Sequence, residues 1–186
     1  ILDCTLRDGG RVINCAFGEN AIIGIGKQLK RAGIDIIEMG FLRDGFYKES
    51  STFFPSVHVA NQYIYQICKN NSPKREQYVL FMDYGLYSTE KLEESDRTGV
   101  SGIRYGFTKK NYDESYEQIV NDIQTIKRKG YNVYFQDVNT NGYKESELVE
   151  LIYMANEFDP VSFGLVDTFG SMYLDDLEKI WDIVDT

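Results

Sequence analysis

Apolar residues along this chain alternate between two patterns: short continuous runs, and stretches where they return every three or four positions. Ile1–Leu6 is a short apolar run, and between Glu19 and Arg31 the residues Ile22, Ile23, Ile25 and Leu29 fit one face of a helix that Gly33 would stop. Ile34–Phe41 ("IDIIEMGF") reads as a second strand, with a helix from about Val57 to Lys69 behind it. Tyr78–Asp83 ("YVLFMD") is a third, and Ser88-Thr89-Glu90 then opens a short helix with Ser88 at its N-cap, ending near Gly99. Val100–Phe107 is the fourth. Tyr116, Ile119, Val120, Ile123 and Ile126 form the apolar stripe of the next helix, which closes at Lys127-Arg128-Lys129-Gly130, where cations and a glycine suit a helix C-terminus. Tyr131–Val138 is the fifth strand, before a helix burying Leu148, Leu151, Ile152 and Ala155. Val161–Val166 is the sixth, before a helix with Leu174, Leu177, Ile180, Trp181 and Val184 on its buried stripe.

Six strand-helix alternations with short connections predict an α/β protein: a parallel sheet joined by right-handed crossovers and covered by helices. An open doubly wound sheet and a closed (β/α) barrel share this rhythm. The first strand-to-helix connection has neither a Gly-x-Gly-x-x-Gly fingerprint nor a Walker-type loop, which weakens the nucleotide-binding open sheet. The favoured reading is a TIM-type barrel, incomplete at about six of eight units. No linker or low-complexity tract divides residues 1–186, which read as one domain. A six-unit sheet leaves its first and sixth strands unpaired, so association into a homo-oligomer through those edges is expected.

Composition narrows the function. At 186 residues and 42% hydrophobic content the chain can bury a real core, and its net charge of −9 argues against nucleic acid as a partner. No apolar run approaches the roughly 20 residues of a membrane span, and no leader pattern opens the chain, so a cytoplasmic location is expected. Cys4, Cys15 and Cys68 contain no Cys-x-x-Cys pair and read as reduced thiols. His58, the one histidine, falls within a helix and reads as structural or surface. The 14 tyrosines and 11 phenylalanines are expected to fill the helix-sheet interface.

In a barrel, chemistry sits at the C-terminal ends of the strands. Here those ends are polar: Thr5-Leu6-Arg7-Asp8, Glu38-Met39-Gly40, Asp83-Tyr84, Arg104-Tyr105-Gly106, Gln136-Asp137-Val138-Asn139 and Asp167-Thr168. Carboxylates converging on one end repel unless a cation or an arginine stands among them. Asp8 is a hard oxygen ligand suited to a divalent metal, and Arg7 can hold a carboxylate or enolate oxygen bidentately. The bland alternative is that these are charged residues leaving the core. In the active-site reading Gly9-Gly10 lets the chain turn tightly at the barrel mouth.

"LDCTLRDGG" resembles the first-strand motif of the DRE-TIM metallolyases, a family that includes hydroxymethylglutaryl-CoA lyase, isopropylmalate synthase and 4-hydroxy-2-oxovalerate aldolase. Ile37-Glu38 falls where that family places the glutamate of its Asp-Arg-Glu set, and "VDTFGSMYLDDLEKI" (Val166–Ile180) resembles its sixth strand and helix, most nearly in the aldolase branch. The resemblance implies the N-terminal part of an aldolase or lyase barrel that makes or breaks a C–C bond through the enolate of a 2-oxo acid such as pyruvate. An acyl-CoA-dependent Claisen synthase and a non-catalytic binding or regulatory barrel are the alternatives. Under the resemblance Asp8 binds a divalent metal, Mn²⁺ or Mg²⁺ rather than Zn²⁺, Arg7 stabilises the enolate and Glu38 orients Arg7. Arg104, Asn139, Asp167 and Thr168 are weaker candidates for the substrate pocket. The family's other metal ligands are two histidines of a seventh strand, expected beyond residue 186, so the isolated fragment would be inactive. Where the aldolase branch has a histidine base shortly after "LRDG", this chain has Gly10-Arg11-Val12. Arg11 is either a binder of a second anionic group or a solvated surface residue. The enzyme reading predicts that Arg7→Ala loses rate with little loss of folding.

Overall fold

A computed structural model describes residues 1–45, 48–68 and 77–185. Its strands are β1 (Leu2–Asp3), β2 (Ile36–Leu42), β3 (Phe53–Phe54), β4 (Tyr78–Asp83), β5 (Gly102–Thr108), β6 (Asn132–Val138) and β7 (Ser162–Gly164). Its α-helices are α1 (Glu19–Arg31), α2 (Val57–Cys68), α3 (Lys109–Arg128), α4 (Glu145–Phe158) and α5 (Leu174–Val184). Lys69, the expected end of the second helix, lies outside the described residues.

All strand pairs are parallel, and the sheet runs β1-β2-β4-β5-β6-β7, with β3 paired to β2 off this path. Each long strand therefore lies beside its neighbour in sequence. A doubly wound sheet reverses direction at a switch point, whereas a barrel adds each strand on the same side, so the order decides between the two. The sheet curls into a half-barrel, an incomplete TIM-like barrel with the helices alternating along it.

The first strand is shorter than the apolar run suggests. β1 pairs with Ile36 and Ile37 at the start of β2, while β3 pairs with Phe41 and Leu42 at its end, so β3 continues the edge that β1 abandons. After Cys4 the chain turns back, with the amides of Arg7 and Asp8 donating to the Cys4 carbonyl, and Gly9–Ile13 forms a 3-10 helix. The Thr52 hydroxyl donates to the Leu6 carbonyl at 2.7 Å and pins this turn to the segment before β3. Gly10 serves closeness here rather than turning: a Cβ on it would stand 2.8 Å from the Phe17 ring and 3.0 Å from Cys15 Sγ.

Helix ends follow the expected signals at Gly33 (φ 73°) and Gly130 (φ 81°), both left-handed positions that glycine occupies without strain. Two expectations fail. The helix from Ser88 is only two 3-10 turns, Thr89–Lys91 and Ser95–Arg97, and Ser88 offers no side-chain cap. Leu92 is the one apolar side chain between Ser88 and Thr98, too little to hold a longer helix. The stripe of α5 is not buried either: no residue of that helix is buried and Trp181 is 65% exposed. α5 packs against α4 on one side, and among the described residues no helix follows to cover its other face.

The main core lies between the outer face of the sheet and the helices, with Met39, Leu80, Tyr105 and Phe135 among its fully buried side chains. A second, smaller cluster of Cys15, Phe41, Phe53 and Phe81 lies apart from it. These three phenylalanines depart from the expected helix-sheet interface. They form the floor of the inner face. Among the described residues no helix is long and apolar enough to cross a membrane.

Candidate active site

Alternation along parallel strands sends every second side chain to the concave face. Glu38 on β2, Phe81 on β4, and Arg104 and Gln136 on β5 and β6 meet there, and Arg7 reaches in from the turn after β1. Arg7 Nε donates to Glu38 Oε2 at 2.6 Å and its Nη1 to Asp8 Oδ1 at 2.9 Å. Arg104 Nη1 donates to Glu38 Oε1 at 2.6 Å, and its Nη2 donates to Gln136 Oε1. Glu38 is fully buried and each of its oxygens accepts from a different arginine. The Arg7 guanidinium lies 4.7 Å from the Phe81 ring centroid and 5.7 Å from that of Phe41, and Arg104 lies 5.8 Å from Phe81.

Burying such charges is costly, and it succeeds only with good geometry and satisfied hydrogen bonds. Burial works against the Arg7 charge, but Glu38 and Asp8 outweigh it and leave its pKa above the ordinary value. Removing one partner of a buried pair costs about 3–5 kcal/mol. Arg7→Ala is therefore expected to cost folding, where the reading from sequence expected little loss. Glu38 is the third residue of β2 rather than at the strand's end, so the cluster lies one layer below the rim of the sheet.

On the rim above it, Asp8 Oδ1 also accepts from Arg11 Nε at 3.0 Å. Asp83 ends β4, and burial raises its pKa against the pull of Arg11, Arg43 and Arg7. Cys4 stands close enough to feel Arg7, Glu38, Asp8 and Arg104, and burial pushes its thiol pKa up, away from a reactive thiolate. All three cysteines are free thiols, as expected.

The remaining predicted residues lie elsewhere. Asn139, at φ 69°, has its backbone amide donating to Thr168 Oγ1 at 2.8 Å. Asp167 is exposed and accepts from the amides of Met172 and Ser171, both at 2.9 Å, which hold its pKa below the ordinary value. Asn139 and Thr168 clasp the loops after β6 and β7, Asp167 closes the second loop on itself, and the three make no hydrogen bond or ion pair with the arginine cluster. His58 is exposed on α2, with its ring 3.5 Å from Gln62, and takes no part. Gln136, Phe81, Asp83 and Arg43 belong to the site without having been singled out. Gln136 and Asp83 stand among the polar strand ends, and strict alternation from Phe81 and Arg104 would have selected them.

The described residues do not make a metal site by themselves. No group of three His, Cys, Asp or Glu side chains comes together, and Asp8, the one candidate ligand, already has Oδ1 held between two guanidiniums. What the arrangement offers instead is concentrated positive charge on an aromatic floor, suited to an anionic substrate or a developing oxyanion.

No family model matches this chain, and no curated protein matches it. Fourteen chains of solved structures do. One is the crystal structure of the N-terminal domain of a proposed aldolase from Bacteroides vulgatus, with a TM-score of 0.66 and 21% identity, covering 99% of this chain and 59% of that one. At that identity the likeness is one of fold. This chain spans a little over half of its neighbour's length, and the half-barrel is the part they share.

Proposed function

We propose that this chain carries part of the active site of a carbon-carbon lyase of aldolase type, acting on a 2-oxo acid such as pyruvate or its aldol adducts. The observation that carries the reading is Arg7, buried at the concave face and fixed between Glu38, Asp8 and Phe81 with its Nη2 unengaged by any described residue. The resemblance of "LDCTLRDGG" to the DRE-TIM metallolyases and a fold shared with a proposed aldolase support it.

Cleaving a C–C bond next to a carbonyl leaves negative charge on the carbonyl oxygen, and the step speeds up when fixed donors already point at that position. Arg7 would supply those donors. Glu38 holds it by Nε and so leaves the far end of the guanidinium for the substrate. Arg104 shares Glu38, and Gln136 fixes Arg104, so the two cations cannot swing apart. Phe81 and Phe41 cover the guanidinium faces and keep water off them. Asp8 would give one ligand to a divalent cation, Mn²⁺ or Mg²⁺, whose other ligands come from outside the described residues. The sheet edges at β1 and β7 would pair with further strands or with another copy.

The test is pyruvate release from a series of 4-hydroxy-2-oxo acids by the full-length protein with Mn²⁺. The expected result is turnover with at least one of them, reduced about 100-fold or more in kcat by Arg7→Lys, which keeps the charge but loses the fork. No turnover across the series overturns the reading.

A further inference from the structure

Two arginines on the rim are not used by that chemistry. Arg11 stands in the 3-10 helix after Asp8, with its Cζ 5.2 Å from the centroid of Phe41. Arg43 directly follows β2, with its Cζ 5.3 Å from the centroid of Phe53. Phe41 and Phe53 stack on each other at 5.2 Å with an interplanar angle of 30°, so both guanidiniums rest on one aromatic shelf. Both also act on the same two neighbours, drawing down the pKa of Asp83 and of Cys15 against the effect of burial.

Their hydrogen-bonding capacity is largely unspent. Arg11 gives only Nε, to Asp8. The Arg43 guanidinium makes no hydrogen bond or ion pair with a described residue, although it is half-buried. The carboxylates among the described residues that pair with or feel Arg7, Arg11, Arg43 and Arg104 at the mouth are Asp8, Glu38 and Asp83, which leaves four cations against three anions in a chain whose net charge is −9. Two like charges held on one shelf repel, and an oxyanion with two or more acceptor atoms relieves both.

We infer that Arg11 and Arg43 form an oxyanion subsite beside Arg7, and that the substrate carries a second anionic group, a carboxylate or a phosphate, remote from its reacting carbonyl. This deepens the aldolase reading and rests on it for the reacting end, while the subsite stands or falls on oxyanion binding. In the family branch that the sequence resembles, the Arg11 position holds the base. Here that position would serve recognition.

The arginine Nε–Hε resonances of ¹⁵N-labelled protein, titrated with pyruvate, 2-oxoglutarate and inorganic phosphate, test the inference. The expected result is that 2-oxoglutarate moves the Arg11 and Arg43 signals and binds about tenfold more tightly than pyruvate, a preference lost in the Arg11→Met/Arg43→Met double variant. Both side chains lie at the rim, and an unchanged circular-dichroism spectrum checks that the variant is folded. Shifts with phosphate but not with 2-oxoglutarate assign the subsite to a phosphorylated substrate, and the reverse to a dicarboxylate. Phosphate moving both signals while neither oxo acid binds would keep the subsite and defeat the aldolase reading. Signals unmoved by phosphate and by 2-oxoglutarate, or a tenfold preference that survives in the double variant, overturn the inference.

Discussion

Asp137 faces the helices from β6, fully buried, and neither carboxylate oxygen has a hydrogen-bond partner. Burial pushes its pKa up to about 6, against the pull of the nearby Tyr143 and Thr140 hydroxyls. A pKa raised in the fold favours the protonated form, so this contribution to stability is complete below about pH 4 and is lost as pH rises through about 6. The loss approaches about 3 kcal/mol. Asp137→Asn removes the titration while keeping the shape. Its melting temperature should exceed that of the parent at pH 8, with the gain gone at pH 4; parallel melting curves across that range would show that the carboxyl does not titrate there. Residues of this kind also mark the limit of reading by type. Asp137 and Gln136 are adjacent polar residues at one strand end, yet the pleat sends Gln136 to Arg104 and Asp137 to the helices.

At the scale of elements, the decisive irregularity is in β2. Its register with β4 shifts between Glu38 and Phe41, and Gly40 between them sits at φ 151°. The shift allows Glu38 and Phe41, three residues apart, both to reach Arg7, where plain alternation would put them on opposite faces. A Cβ on Gly40 would lie 2.1 Å from the Thr52 carbonyl oxygen, which is main chain and cannot step aside. Gly40→Ala should therefore cost about 3 kcal/mol or more in urea unfolding, through backbone strain and overpacking together. A variant within about 0.5 kcal/mol of the parent, as surface changes usually are, would refute this account of the bulge. The apolar run Ile34–Phe41 reveals a strand because its period is local. The bulge is not local, since Thr52 and the two-residue β3 impose it. For the same reason the pattern placed Arg7, Asp8, Glu38 and Arg104 among the site candidates but could not tell them from Asn139, Asp167 and Thr168. All seven are polar residues of the strand ends expected from sequence, and the side toward which each points depends on register.

For the whole molecule, the α/β class was legible because strands and helices largely alternate, while the barrel was favoured over a doubly wound sheet by the missing phosphate-binding loop and not by periodicity. The failed expectation at Trp181 has a tertiary cause. Amphipathicity says which face of a helix wants cover, and not whether cover is present. α5 leaves Leu174, Leu177 and Trp181 more than half exposed, and among the described residues β7 has no partner strand on its outer edge. Large exposed apolar patches and free edges favour association. Trp181 is the only tryptophan, which makes its fluorescence a reporter of that face. Emission should shift to shorter wavelength as concentration rises, in step with a growing sedimentation coefficient. A species that stays monomeric at high concentration, with constant emission, would refute the association.

The Glu38 bridge has a further consequence, for the order of assembly. It joins Arg7, 31 positions earlier in the chain, to Arg104, 66 positions later. Contacts of such long sequence separation are rewarded only after the loop-closure entropy between them has been spent. A folding intermediate holding only β4, β5 and β6 would have a sheet and a core but no Glu38, hence one cation, Arg104, held by Gln136 and without a counter-ion. The bridge would thus act as a checkpoint: Arg104 meets its carboxylate only when the first quarter of the chain has docked against the middle.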